Sequence, residues 1–122
     1  NLEESRYKKT YGDDGENLAV LYLEKEGYRI LNKNFRCRQG EIDIIAMEEN
    51  YLCFIEVKRR SGTVSGHPLE AISPNKIRRI CKTALFYLQS SHMSDSTAVR
   101  FDVISIIGEK VSQLRDACSF HY

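Results

Sequence analysis

Two carboxylates and a lysine fall on two segments that the sequence predicts to be neighbouring β-strands. Asp43 lies in residues 41–47, and Glu56 and Lys58 lie in residues 51–58. Carboxylates that face the same side of adjacent strands can share a hard divalent cation such as Mg²⁺, which takes oxygen ligands and keeps several waters. Lys58 points to the same side as Glu56 because side chains alternate along a strand, so it could hold an attacking water or a phosphate. Hydrolysis of a phosphodiester bond requires groups of this kind.

The same residues also have a plainer interpretation. Glu56 and Lys58 could form a surface ion pair on an edge strand, with Asp43 as one more solvated charge. A Glu-x-Lys triplet is a weak signal by itself. Its position within the apolar run of residues 52–57 favours a functional site, because charges are costly to bury there. The pattern alone leaves both interpretations open.

A helix and a strand precede these segments. Apolar residues at i+3, i+4 and i+7 from Glu16 predict a helix from Glu16 to about Glu26. This spacing puts Glu16 on the face that the apolar residues would bury. Gly27 ends the helix, and residues 28–36 predict an extended strand.

The next two strands form a predicted hairpin. Alternation in residues 41–47 groups Glu41 with Asp43 on one face and Ile42 with Ile44 on the other. A polar turn then leads into the third strand. On this pattern Glu41 is a candidate to support the ligands of the site, and a strand-pairing charge is the alternative.

A second helix has the clearest pattern in the chain. Ser73 can cap it, and Pro74 suits its first position. Its apolar stripe consists of Ile77, Ile80, Cys81, Ala84, Leu85 and Leu88. Lys76, Arg79 and Lys82 are predicted to lie outside this stripe.

The elements add up to an α/β protein. A flexible basic loop is predicted over residues 59–68, and a fourth strand over residues 100–107, followed by a tail without a clear pattern. The order α-β-β-β-α-β predicts an α/β sandwich with a mixed sheet. We expect a single domain over residues 1–122, with its core at about residues 12–107.

The composition excludes several classes of protein. Of 122 residues, 42% are hydrophobic and 29% are charged, so neither disorder nor a fibrous repeat is expected. No apolar run approaches the ~20 residues that a membrane-spanning helix needs, and the chain start is charged, which predicts a cytoplasmic protein without a membrane partner. The cysteines are scattered, so we expect free thiols and no zinc site at Cys37, Cys53, Cys81 and Cys118.

The net charge of +1 hides a separation of sign along the chain. Residues 41–56 hold five acids and no Lys or Arg, whereas residues 57–94 hold seven bases against Glu70 alone. An acidic centre beside a basic surface is expected where a metal site must hold a polyanion. Basic residues near the predicted site are candidates for phosphate contacts, with a solvated basic face as the alternative for each. They are Lys33, Arg36, Arg38, Arg59, Arg60, Lys76 and Arg79.

Short motifs along most of the chain match a known family. They include Gly15-Glu16, Gly27-Tyr28, Asn34-Phe35-Arg36, residues 40–46, residues 54–58, Gly66-His67-Pro68, residues 70–72 and residues 100–103. This ordered set resembles the YraN-like family of small bacterial proteins. The resemblance runs from about Gly12 to Ile107, and the set is more specific than any single motif.

The YraN-like family is similar to archaeal Holliday-junction resolvases and to the nuclease superfamily marked by Pro-Asp followed by (Asp/Glu)-x-Lys. The resemblance implies a restriction-endonuclease-like fold, with Asp43 and Glu56 as ligands of Mg²⁺ or Mn²⁺ and Lys58 as the catalytic lysine. Glu16 matches the helix-one glutamate that completes such sites. An exposed first-turn acid, favoured by the helix dipole, is the alternative for Glu16. Ile42 stands where the superfamily has proline.

Three functions fit these features. The first is an Mg²⁺- or Mn²⁺-dependent endonuclease that hydrolyses phosphodiester bonds in DNA, with branched DNA as a candidate substrate. Symmetrical cutting of a junction would require a homodimer. The alternative is a nucleic-acid-binding module that keeps the nuclease fold without chemistry, and binding that persists after Asp43→Ala would distinguish it. A third is a protein-interaction domain, which absent or salt-insensitive DNA binding would favour.

Overall fold

The computed structural model describes residues 14–60, 73–94 and 96–117. The elements are α1 (Asp14–Lys25), β1 (Arg29–Cys37), β2 (Gly40–Glu48), β3 (Tyr51–Arg60), α2 (Pro74–Ser90), β4 (Ala98–Ile107) and β5 (Lys110–Leu114). Most of the predicted basic loop lies outside the described residues, as do Cys118 and the side chain of Arg60.

The strands form one mixed sheet in the order β1-β2-β3-β4-β5. Its one parallel pair among the described strands is β3 with β4, and the other neighbouring pairs are antiparallel. A parallel pair needs a long crossover connection, and α2 lies in that connection. The helices flank the sheet, which confirms the α/β sandwich. Neither of the two described helices is long and apolar enough to cross a bilayer.

Strand β5 lies in the tail for which no element was predicted. Its backbone pairs with β4 from Val103↔Leu114 to Ile107↔Lys110. All five of its residues are exposed or half-buried, because it is an edge strand. Its sequence therefore lacks the strong apolar alternation by which a strand is recognised.

Each face of the sheet carries one hydrophobic core. The core beneath α2 contains Ile42, Ile45, Leu52, Phe54, Ile80, Ala84, Tyr87, Leu88, Phe101 and Val103. The core beneath α1 contains Ala19, Leu23, Tyr28, Ile44, Ala46, Cys53, Ile55, Ile104 and Ile106. Alternation along β3 thus sends Phe54 towards α2 and Ile55 towards α1. Glu56 continues the side of Phe54.

Helix α2 begins as predicted. The Ser73 hydroxyl accepts a hydrogen bond from the backbone N–H of Lys76 at 3.2 Å, and Pro74 opens the helix. Of the predicted stripe, the buried members are Ile80, Cys81, Ala84 and Leu88. Thr83 is also buried, and its hydroxyl donates to the Arg79 carbonyl at 2.7 Å, so a polar residue joins the packed face without losing a hydrogen bond.

The predicted alternation fails in β2. Ile42 packs beneath α2 with Ile45, whereas Ile44 packs beneath α1, so the prediction that Ile42 and Ile44 share a face is wrong. The break lies at Asp43, where the carboxylate accepts a hydrogen bond from the backbone N–H of Val57 at 2.8 Å. A side chain here bonds to the neighbouring strand's backbone, which lets the strand leave its regular pleat.

A buried polar network joins the strands on the side of α1, where the Tyr28 hydroxyl donates a hydrogen bond to Asp102 at 3.2 Å. The Asp102 carboxylate is fully buried and accepts hydrogen bonds from Arg100 at 2.8 and 2.9 Å and from the Gln113 amide at 3.1 Å. Glu48 accepts a further bond from Arg100 at 2.8 Å. The hydrogen bonds from Arg100 to Asp102 raise the pKa of Arg100, so its guanidinium stays charged. The network links β2, β4 and β5.

Removal of one partner from this network should destabilise the fold. We expect Asp102→Ala to lower the free energy of unfolding by about 3 to 5 kcal/mol, because the Arg100 charge would stay buried without its main acceptor. Urea denaturation at pH 7 measures the change. Glu109→Ala, at an exposed turn position, is the matched control and should change the free energy little. Equal stability of the two variants would contradict a stabilising role for the network.

Candidate functional site

The two predicted ligand carboxylates lie close together on β2 and β3. Glu56 is buried, with 6% of its surface exposed, and Asp43 is half-buried. Burial and the neighbouring charge of Glu56 raise the pKa of Asp43 from 3.8 to about 6, although the hydrogen bond from Val57 opposes the rise. The charge of Glu16 raises it further, and Lys76 lowers it. The structure therefore brings the predicted acids Glu16, Asp43 and Glu56 into one electrostatic environment.

Two lysines stand beside Glu56. The Nζ atom of Lys76 lies 2.7 Å from Glu56 Oε1, and the Nζ atom of Lys58 lies 3.7 Å from the same oxygen. Burial, followed by the charge of Lys76, lowers the pKa of Lys58. Burial alone would lower the pKa of Lys76 as well, but the hydrogen bond and charge of Glu56 outweigh it and raise that pKa. The two ammonium groups are therefore in unlike environments.

The pairing of Lys76 with Glu56 was not predicted from the sequence. Helical periodicity predicted Lys76 outside the apolar stripe of α2, and its charge made it a candidate phosphate contact. In the structure it reaches from the first turn of α2 to Glu56 on β3. The apolar periodicity of a helix predicts which of its residues face the sheet. It does not predict which strand residue lies beneath the first turn of α2, because that depends on the path of the connection between β3 and β4. The one available signal was the acid Glu56 inside an apolar run, where a buried charge needs compensation.

The donor set fits a hard divalent cation. Asp43 and Glu56 offer carboxylate oxygens, and their mutual repulsion favours a partner of double positive charge. Within residues 14–60, 73–94 and 96–117, no group of three His, Cys, Asp or Glu side chains is placed to hold a metal ion. Mg²⁺ is commonly bound through one or two carboxylates, with water and substrate phosphate as the other ligands. Such an ion would compete with Lys76 for Glu56.

A cleft opens beside these acids, between the β1–β2 turn and the first half of α2. It has a volume of about 360 Å³ and is lined by Arg36, Cys37, Gly40, Glu41, Lys76, Arg79 and Ile80. Gly40 has a positive φ of 152°, and a Cβ atom there would lie only 2.9 Å from Thr83 Oγ1. Glycine thus lets β2 start directly against α2, which closes one end of the cleft.

Glu41 lies at this cleft in an ion pair. Its carboxylate is 3.1 Å from Arg36 Nε, and both side chains are largely exposed. Arg36 and Glu41 are also opposite partners in the register of β1 with β2. This geometry favours the strand-pairing alternative for Glu41.

The candidate phosphate contacts divide into groups. Arg36, Lys76 and Arg79 meet at the cleft. Lys33 and Arg38 are exposed but do not line it. Arg59 lines a different depression, with Asn17 and Leu18 of α1. A strand of nucleic acid over the acids could therefore contact the first group directly.

Comparison with known proteins places the chain among close relatives. The model of the Uncharacterised protein family UPF0102 matches residues 15–106. A UPF0102 protein of Lachnoclostridium phytofermentans is 46% identical over 110 residues, which cover 90% of this chain and 93% of that protein. One of Chlorobium phaeobacteroides is 52% identical over 96 residues, 79% and 75% of the two chains. One of Persephonella marina is 43% identical over 111 residues, 91% and 95% of the two chains.

The raised pKa of Asp43 predicts a pH-dependent stability difference. The folded state holds the Asp43 proton more tightly than the unfolded chain does, so ionisation of Asp43 destabilises the fold as pH rises from about 4 through 6. Asp43→Asn keeps an oxygen that can accept from Val57 but cannot ionise. In EDTA and above pH 7, we expect the free energy of unfolding of Asp43→Asn to exceed that of the wild type by ~2 kcal/mol. The difference should vanish near pH 4.

Urea denaturation of both proteins between pH 4 and pH 8 measures this difference. Subtraction of the two profiles removes the contributions of groups that titrate equally in both proteins. A difference that stays constant across this range would mean that the pKa of Asp43 has its ordinary value.

Proposed function

This chain belongs to the UPF0102 family, and we propose that it is a divalent-metal-dependent endonuclease that hydrolyses phosphodiester bonds in DNA. The family match confirms the resemblance to the YraN-like family. One observation carries the proposal: the buried Glu56 carboxylate lies between Asp43, which feels its charge, and Lys58, at 3.7 Å. That arrangement puts two hard oxygen donors and the ammonium group of Lys58 together on the neighbouring strands β2 and β3.

Asp43 and Glu56 would hold Mg²⁺ or Mn²⁺ through their carboxylate oxygens. When bound, such a cation lowers the pKa of a coordinated water and offsets the negative charge that develops on the phosphate. Lys58 stands where its ammonium can orient the attacking water or contact the scissile phosphate. Its lowered pKa also brings proton exchange closer to neutral pH. Glu16 would complete the acidic side of the site.

The surroundings of these acids suit a polyanionic substrate. Arg36 and Arg79 flank the adjacent cleft, and phosphate contacts by such residues supply most of the sequence-independent affinity for DNA. Branched DNA is the candidate that the resemblance to Holliday-junction resolvases suggests. A homodimer would place two such sites for symmetrical cutting.

A nucleic-acid-binding module is the second candidate. Two observations favour it: Lys76 already pairs with Glu56 at 2.7 Å, and no three-ligand group is present among the described residues. A protein of this kind would keep the basic cleft for DNA and would not need to bind a metal ion. The two candidates therefore differ in what Asp43 does.

Cleavage assays with Asp43→Asn separate these candidates. The wild type is incubated with labelled duplex, single-stranded, flap and four-way-junction DNA in Mg²⁺, Mn²⁺ or EDTA. We expect metal-dependent cleavage that Asp43→Asn lowers by about 100-fold or more, because a carboxylate that holds the cation is lost. Glu24→Gln, at an exposed position on α1, is the charge-matched control and should cleave normally.

The other outcomes are equally informative. Cleavage that persists in EDTA or in Asp43→Asn would contradict a metal-dependent reaction at this site. Salt-sensitive DNA binding by both proteins without a product would establish the binding module instead. Absent or salt-insensitive binding would favour a protein-interaction domain.

A further inference from the structure

Lys76 lies on the boundary between the carboxylate pair and the cleft. Its Nζ atom is 2.7 Å from Glu56 Oε1, and the same side chain lines the cleft together with Arg36 and Arg79. The side chain is about one third exposed, so it has room to move. One flexible cation thus has access to two neighbouring sites.

In the structure, the ammonium group of Lys76 compensates the negative charge of the Glu56 carboxylate. The Glu56 side chain is only 8% exposed, and a buried carboxylate is unfavourable without a positive partner. A lysine ammonium carries a single charge, whereas Mg²⁺ or Mn²⁺ carries two and can bind Asp43 at the same time. The two cations would compete for the same oxygen, and they would repel each other at short range.

Two of the three cations that line the cleft are paired with carboxylates in the structure, and one of them is Lys76. Arg36 is paired with Glu41 at 3.1 Å, which leaves Arg79 as the exposed cation of the lining without a carboxylate partner among the ion pairs described. Once released from Glu56, Lys76 would be an unpaired cation beside Arg36 and Arg79 in a lining whose single acid is Glu41. That balance suits a phosphate group, to which Lys binds as a point charge and Arg as a fork.

We propose that a divalent cation displaces Lys76 from Glu56, and that the released ammonium completes, with Arg36 and Arg79, a subsite for a phosphate group of the nucleic-acid strand. The inference rests on the proposed metal site and extends it to the substrate. Lys76 thereby makes metal binding and strand binding cooperative. By linkage, a bound strand strengthens metal binding to the same degree.

Metal binding is measured first, by calorimetric titration with Mn²⁺ in the absence of DNA. Lys76→Gln removes the competing ammonium, so we expect it to bind Mn²⁺ about fivefold more tightly than the wild type. Lys82→Gln, which removes an exposed charge from the same helix, is the matched control and should bind like the wild type.

Strand binding is measured second, by fluorescence anisotropy of a labelled single-stranded DNA in Ca²⁺ or EDTA. A length of about twelve nucleotides is enough to fill one binding groove. The wild type should bind about tenfold more tightly in Ca²⁺. Lys76→Gln should lose most of this enhancement although it binds metal more tightly. Arg79→Gln, which leaves Glu56 and its partners intact, should bind the strand more weakly in Ca²⁺ and so tests the subsite independently.

The failures of the two proposals are distinguishable. If the wild type binds no Mn²⁺, the metal site of the proposed function fails, and the displacement of Lys76 fails with it. If the wild type binds Mn²⁺ and Lys76→Gln binds it equally well or less well, the metal site stands and the displacement is wrong. If the Ca²⁺ enhancement of strand binding persists in Lys76→Gln, the phosphate subsite is overturned.

Discussion

The buried carboxylate of Glu56 is the constraint around which the candidate site is arranged. It follows the apolar residues of the central strand β3 and has only 6% of its surface exposed. A charge in that position needs compensation from nearby groups. The structure supplies it from two directions: Lys58 on the same strand at 3.7 Å, and Lys76 from α2 at 2.7 Å. The site is thus a cluster of charges that stabilise one another at the edge of an apolar core.

The position of Lys76 depends on the parallel pair in the sheet. Strands β3 and β4 run in the same direction, so the chain must cross over one face between them, and α2 lies in that crossover. The first turn of α2 thereby lies over the end of β3 that carries Glu56. A second buried charge pair, Arg100 with Asp102, lies on β4 and contacts Tyr28 of the core beneath α1. Glu56 and this pair therefore face opposite sides of the sheet.

The side chain of Asp43 accompanies a change in the backbone around it. Its carboxylate takes the backbone N–H of Val57 as a donor, and the regular alternation of β2 is lost between Ile42 and Ile45. Burial and the charge of Glu56 raise the pKa of this carboxylate to about 6. A carboxylate with this balance of contacts is well suited to exchange a proton for a divalent cation. The hydrogen bond that accompanies the irregularity lowers this pKa, but burial and the charge of Glu56 outweigh it.

Periodicity in the sequence by itself determined most of the secondary structure and the side of β3 to which Glu56 and Lys58 point. It did so because alternation and helical repeats are local properties of the chain, and the apolar residues of β3 and α2 follow them closely. Edge strand β5 was not predicted, since its pairing comes from backbone hydrogen bonds to β4 and its side chains bury little. Only the tertiary structure decided that Ile42 faces α2, that Glu41 pairs with Arg36, and that Lys76 reaches Glu56. Each of these contacts joins residues on different elements or breaks a local repeat, so its energy depends on the sheet and the crossover as a whole.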